Sequence, residues 1–112
     1  MQKSFSYAFR GIGDALKSEP NLRIHFMFSF LTILLAVYLK FTWIEFAILT
    51  LTIFLVIILE FVNTIIEKLS DITHPEQSEK IRFIKDMSAA TVLMAAVCSI
   101  IVGLILFLPK LW

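Results

Sequence analysis

Four polar residues interrupt an apolar stretch near the middle of the chain: Glu60, Asn63, Glu67 and Asp71. On a helix advancing ~100° per residue, Glu60, Glu67 and Asp71 fall in one narrow stripe, and Asn63 lies about 60° away. Ile57, Ile58, Leu59, Phe61, Val62, Ile65 and Ile66 surround them. An ionisable group at the centre of a bilayer costs at least ~2.5–3.5 kcal/mol, less near the interface. A helix rises ~1.5 Å per residue, so Glu60 and Glu67 stand roughly 10 Å apart along the axis. They cannot share one metal ion through that helix alone, which points to different jobs. Glu60 is the deeper, where low dielectric suits a carboxylate to take a proton. Glu67 and Asp71, nearer water, suit a divalent cation held by oxygen ligands. The plain alternative is a set of interfacial solubilisers. It accommodates Glu67 and Asp71, but it would leave Glu60 and Asn63 facing lipid.

Two smaller clusters flank this run. In Ser18-Glu19-Pro20-Asn21-Leu22-Arg23-Ile24-His25, Ser18 is expected to cap a helix that has Pro20 in its first turn. Glu19 then points into the headgroup layer with Asn21 and Arg23 nearby. Taken alone, the cluster is a capped helix start with a snorkelling arginine, and His25 is a satisfied interfacial histidine. Lys85-Asp86 precedes Ser88, Ala89, Ala90 and Thr91. Lys85 can hold a phosphate as a point charge, and Asp86 can pair with it or with a metal. Alone, the two are an ordinary anchor pair, and the small residues after them let another helix approach closely. Gly11 and Gly13 lack the third glycine and the preceding strand of a dinucleotide loop. Cys98 is a small core residue in an apolar span. No P-loop and no kinase-type catalytic loop is present.

The elements that must position these groups are membrane helices. The chain has 112 residues, 59% hydrophobic and only 17% charged, against ~45–50% and ~25% in a soluble domain. One cysteine excludes a disulfide scaffold within the chain, and a net charge of +1 argues against nucleic acid. An all-α membrane protein in one domain is expected, with spans at about 24–40, 43–66 and 87–108 and a surface helix before them. That helix is read from Phe5, Phe9, Ile12 and Leu16, which share one face, with Lys3, Arg10, Asp14 and Lys17 elsewhere. No apolar core follows Lys3 and Arg10 until residue 24, so a cleaved signal peptide is not expected. Lys3, Arg10, Lys17 and Arg23 precede the first span, and Lys68, Lys80, Arg82 and Lys85 lie between the second and third. The positive-inside rule places both segments in the cytoplasm and Trp43 and Trp112 at the outer interface. Thr73-His74-Pro75-Glu76 fits a capping box opening a short helix that runs into the third span.

Together the clusters resemble the prokaryotic integral-membrane diacylglycerol kinase and undecaprenol kinase family. The resemblance covers nearly the whole chain. It rests on the run Glu60, Asn63, Glu67 and Asp71, on Lys85-Asp86 fourteen residues after Asp71, and on Glu19. It implies a homotrimer of three-span protomers in the bacterial plasma membrane, with active sites at the cytoplasmic interface. It implies ATP-dependent phosphorylation of a lipid hydroxyl, in phospholipid or cell-envelope lipid recycling. By resemblance Glu60 is the general base, and Glu19 and Glu67 hold Mg2+. Asn63, Lys85 and Asp86 line the nucleotide site, Asp71 supports it, and Tyr7 and Glu76 lie near it. Arg23 lies near the lipid headgroup.

Ile65 and Ile84 stand where the family usually has alanine, adding bulk near a packed site. The Glu19-x-Asn21-x-x-x-His25 pattern is more similar to the undecaprenol branch than to the diacylglycerol branch. The rival readings are a small oligomeric transporter using Glu60 as its proton site, and a structural or pore-forming membrane peptide.

Overall fold

The computed structural model describes residues 2–73 and 78–111, which form four helices and no strand. Helix α1 is Gln2–Ser18, α2 Pro20–Tyr38, α3 Trp43–Thr73 and α4 Glu79–Leu111. The last three are long and apolar enough to cross a membrane, so the expected surface helix plus three spans is the architecture observed. At ~1.5 Å per residue α3 and α4 are about 46 and 50 Å long, well beyond the ~30 Å of a hydrocarbon core. Their helical backbone continues past the apolar blocks, and those extensions carry most of the polar clusters.

Each boundary has a local cause. A residue before proline is pushed out of the helical region, and Glu19 sits at φ −116°, ψ 101°. Pro20 then opens α2 at a position where a missing N–H costs nothing. This corrects the expectation for Ser18: it is the last residue of α1, Glu19 is the N-cap, and no side chain caps α2. The Glu19 carboxylate is therefore left for other partners.

The first apolar block was expected to run to residue 40, but α2 stops at Tyr38. Lys40 takes a left-handed φ of 60°. Lys40 N–H donates to the Val37 carbonyl and Phe41 N–H to the Ala36 carbonyl, both at 3.1 Å. These are the paired bonds of a Schellman ending. Helix α3 opens with a reciprocal cap: Glu45 N–H donates to Thr42 Oγ1 at 3.2 Å, and Thr42 N–H donates to Glu45 Oε1 at 2.8 Å. Lys110, in the last turn of α4, reaches the same Glu45 oxygen at 2.9 Å.

The turn between α2 and α3 thus meets the end of α4, where Ala36, Phe41, Leu49 and Leu106 form the buried core. The Phe41 and Phe107 rings pack 4.8 Å apart there. At the opposite end, α1, the start of α2, the end of α3 and the start of α4 come together. Of the proposed cap, Thr73 is instead the last residue of α3, its Oγ1 donating to the Leu69 carbonyl at 2.8 Å, while His74, Pro75 and Glu76 lie outside the described residues, as does Trp112. Past that segment, α4 runs without a break from Glu79 into the apolar block.

Candidate functional site

The polar residues of α3 are ordered by depth. Counted from Trp43 at ~1.5 Å per residue, Glu60 lies about 25 Å along the helix, Glu67 about 36 Å and Asp71 about 42 Å. Of these three, only Glu60 falls within the ~30 Å that a hydrocarbon core spans.

Glu60 is also the least exposed carboxylate of the run, its side chain only 14% accessible. A part-buried carboxyl group calls for a hydrogen-bonding partner, and Glu60 has one: His25 Nε2, on α2, lies 3.1 Å from its Oε1. An ionised carboxylate only accepts, so with Glu60 ionised the ring nitrogen facing it, Nε2, is the donor. The sequence alone reads His25 as an ordinary interfacial histidine. The signal that could have singled it out is topological: α2 begins and α3 ends at the same end of the bundle, which sets His25 and Glu60 at similar depth.

One turn beyond, Asn63 Nδ2 donates to Glu67 Oε1 at 3.1 Å. Asn63 Oδ1 is buried and accepts no hydrogen bond from the described residues. Glu19 lies 3.7 Å from Lys68, the residue after Glu67, so the junction of α1 and α2 meets α3 of the same chain at this level. Among the described residues, no three His, Cys, Asp or Glu side chains converge as a closed metal centre. Mg2+ needs less than that, usually one or two carboxylates with water and substrate phosphate filling the rest. Two carboxylates and an unengaged amide oxygen are hard donors that fit such an ion.

Lys85, only 24% accessible, donates to Asp71 Oδ1 at 2.6 Å, joining α4 to α3. A pairing of Lys85 with Asp86 was an open expectation, and the structure separates the two: Asp86 accepts from Arg82 at 3.1 Å. The reason is helical. Neighbouring residues point about 100° apart, whereas residues four apart share a face. Arg82 also reaches Glu79 at 2.7 Å. Ser88 turns inward and is buried, whereas Ala89 and Ala90 stay exposed.

Two expected site residues do other work within the chain. Arg23 turns back, and its Nη1 donates to the Leu16 and Lys17 carbonyls at 3.2 Å each, closing the end of α1. Tyr7 is exposed on the polar face of α1, with the Arg10 guanidinium 5.6 Å from its ring centre. Ile65 and Ile84 are 60% and 46% exposed, so within the protomer neither crowds the site as expected.

Residues 6–107 match the family model of prokaryotic diacylglycerol kinase. Over 109 residues the chain is 38% identical to a diacylglycerol kinase of Synechocystis sp., covering 96% of this chain and 62% of that one. It is 34% identical over 109 residues to an undecaprenol kinase of Bacillus subtilis, covering 97% of this chain and 89% of that one. The chain thus spans less than two thirds of the Synechocystis relative. A transporter with Glu60 as its proton site gains no support from these matches.

Proposed function

The chain belongs to the prokaryotic diacylglycerol kinase family, and from that premise we propose that it transfers the γ-phosphoryl group of ATP to a lipid hydroxyl. The observation that carries this reading is the depth order on α3. A part-buried carboxylate, Glu60, stands about 10 Å below Glu67, with Asn63 between them and the Asp71–Lys85 pair beyond, groups that suit a metal and phosphates. A lipid hydroxyl approaches from the membrane and ATP from water, so the two substrates meet between these levels.

In the reaction the lipid O–H bond breaks as its proton passes to the Glu60 carboxylate. The lipid oxygen bonds to the γ-phosphorus, and the bond from that phosphorus to the β,γ-bridging oxygen breaks, releasing ADP. Such transfers depend mainly on positioning and charge neutralisation. Lys85 meets phosphate charge. Asn63, Asp71, Asp86, Tyr7 and Glu76 line or support the nucleotide site, and Arg23 adjoins the lipid headgroup. Glu19 and Glu67 would hold Mg2+, which supplies charge neutralisation on the phosphates when bound.

Undecaprenol is the favoured acceptor, on the Glu19-x-Asn21-x-x-x-His25 pattern. Diacylglycerol is the alternative. The protein is placed in the bacterial plasma membrane as a homotrimer, with α1 and the α3–α4 connection on the cytoplasmic side. Four basic residues in or beside each of those segments support that orientation.

The test uses purified protein in mixed micelles with labelled ATP and Mg2+, offered undecaprenol and diacylglycerol in parallel. Labelled lipid that disappears in Glu60→Gln is the expected result. No transfer to either lipid by folded protein would overturn the proposal.

A further inference from the structure

Among the described residues, five carboxylates pair with a lysine or arginine: Glu19 with Lys68, Glu45 with Lys110, Asp71 with Lys85, and Glu79 and Asp86 with Arg82. Glu60 does not. Its partner is the His25 imidazole at 3.1 Å, and His25 is itself 34% accessible. The distinction is chemical. An ammonium or guanidinium at that distance would hold the carboxylate as an ion pair and oppose its taking a proton. A neutral imidazole supplies one N–H donor, fixes the direction of the carboxylate, and carries no net charge to cancel. It engages one oxygen and leaves the second for a substrate.

We infer that His25 is a positioning residue for Glu60: its Nε2–H orients the carboxylate toward the lipid hydroxyl without neutralising it. The inference rests on the proposed kinase reaction.

The backbone supports this role from below. Ser29 Oγ donates to the His25 carbonyl at 2.7 Å, which adds a bond to the α2 turn that carries the ring. His25 also stands at the edge of a cavity of about 390 Å³ between α2, α3 and α4, lined further along by Thr32, Thr52, Val56 and Ser99. His25 thus both meets Glu60 and lines the cavity.

Two variants separate orientation from packing. His25→Phe keeps a ring and removes the donor. His25→Gln places an amide Nε2 donor at similar reach. Steady-state kinetics in mixed micelles should show kcat at least tenfold lower in His25→Phe with KM for ATP unchanged, and most of the loss restored in His25→Gln. A His25→Phe enzyme within twofold of the parent kcat, or a His25→Gln enzyme as poor as His25→Phe, would overturn the inference.

A second measurement stands apart from activity. The chain has two histidines, His25 and His74, so a ¹⁵N-histidine NMR spectrum in micelles contains two rings, assigned with His74→Gln. The His25 ring should carry its proton on Nε2, and its signals should move in Glu60→Gln while those of His74 stay. A His25 spectrum indifferent to Glu60→Gln would overturn the pairing. Failure of the parent protein to phosphorylate any lipid alcohol would instead overturn the kinase reading, and the NMR result would still decide the pairing.

Discussion

Lys85 and Asp71 lie fourteen residues apart on two antiparallel helices, and their side chains meet at 2.6 Å. The contact spans the connection between α3 and α4 at the level of the polar groups proposed to meet phosphate. The lysine is largely covered and the aspartate is 64% accessible, so the pair holds the ammonium in place while leaving the acid side open to solvent.

On the proposed reaction, removing that ammonium removes a fixed positive charge from the phosphate site. Lys85→Ala is expected to lower lipid phosphorylation by roughly 10²–10³-fold, the scale for losing one preorganised charge-stabilising donor. Lys85→Arg should recover only part of the loss, because a planar fork does not replace a compact point charge. Initial rates with labelled ATP check both. Unchanged rates in Lys85→Ala would remove this residue from the site.

The Asn63–Glu67 contact makes a separate prediction about metal. Asn63→Ala deletes a buried amide whose oxygen is unengaged and whose nitrogen donates to Glu67 Oε1 at 3.1 Å. Loss of groups that orient a metal ligand typically costs ~10–100-fold in metal affinity or activity. The Mg2+ concentration for half-maximal rate should rise by about tenfold or more in Asn63→Ala and further in Glu67→Gln. A Mg2+ titration is the measurement, and superimposable curves would show that these residues do not serve the ion.

Arg23 ties α1 to α2 through the Leu16 and Lys17 carbonyls. A hydrogen bond of this kind contributes ~0.5–1.5 kcal/mol, more with a charged donor. Arg23→Ala should therefore speed tryptic cleavage at Arg10 and Lys17 several-fold in micelles. If Arg23 also meets the lipid headgroup, KM for the lipid rises in the same variant while KM for ATP does not. An unchanged lipid KM with faster cleavage would confine Arg23 to holding α1.

Lys40 occupies a left-handed position at φ 60°, where a non-glycine residue costs roughly 1–2 kcal/mol. Lys40→Gly should stabilise the protein by about 1 kcal/mol, offset in part by the added freedom of glycine in the unfolded chain. Equilibrium unfolding in mixed micelles measures it. The turn is far from the site, so kcat should not move.

Much of this was legible in residue order. Helix periodicity put Glu60, Glu67 and Asp71 on one stripe, because the angle per residue depends on the backbone alone. The long uncharged block after Asp86 marked a span, because backbone and side chains in a bilayer must bury apolar surface without water. Pro20 marked the break between α1 and α2, since its ring excludes the helical conformation for Glu19.

Pairings were not legible, because they depend on which helices face each other and at what height. Sequence proximity suggested that Lys85 pairs with Asp86, yet the structure gives Lys85 to Asp71 and Asp86 to Arg82. The Ser18 cap failed for a similar reason: Pro20 shifted the cap to Glu19, and Ser18 remained inside α1. Length and hydropathy by themselves determined a three-span helical protein with Glu60, Glu67 and Asp71 toward one end of its second span, since those are properties of each segment alone. Only the packing of α2 on α3 decided that Glu60 meets the His25 imidazole rather than a lysine or arginine, because a contact between residues thirty-five apart exists only once two helices share a depth and a face.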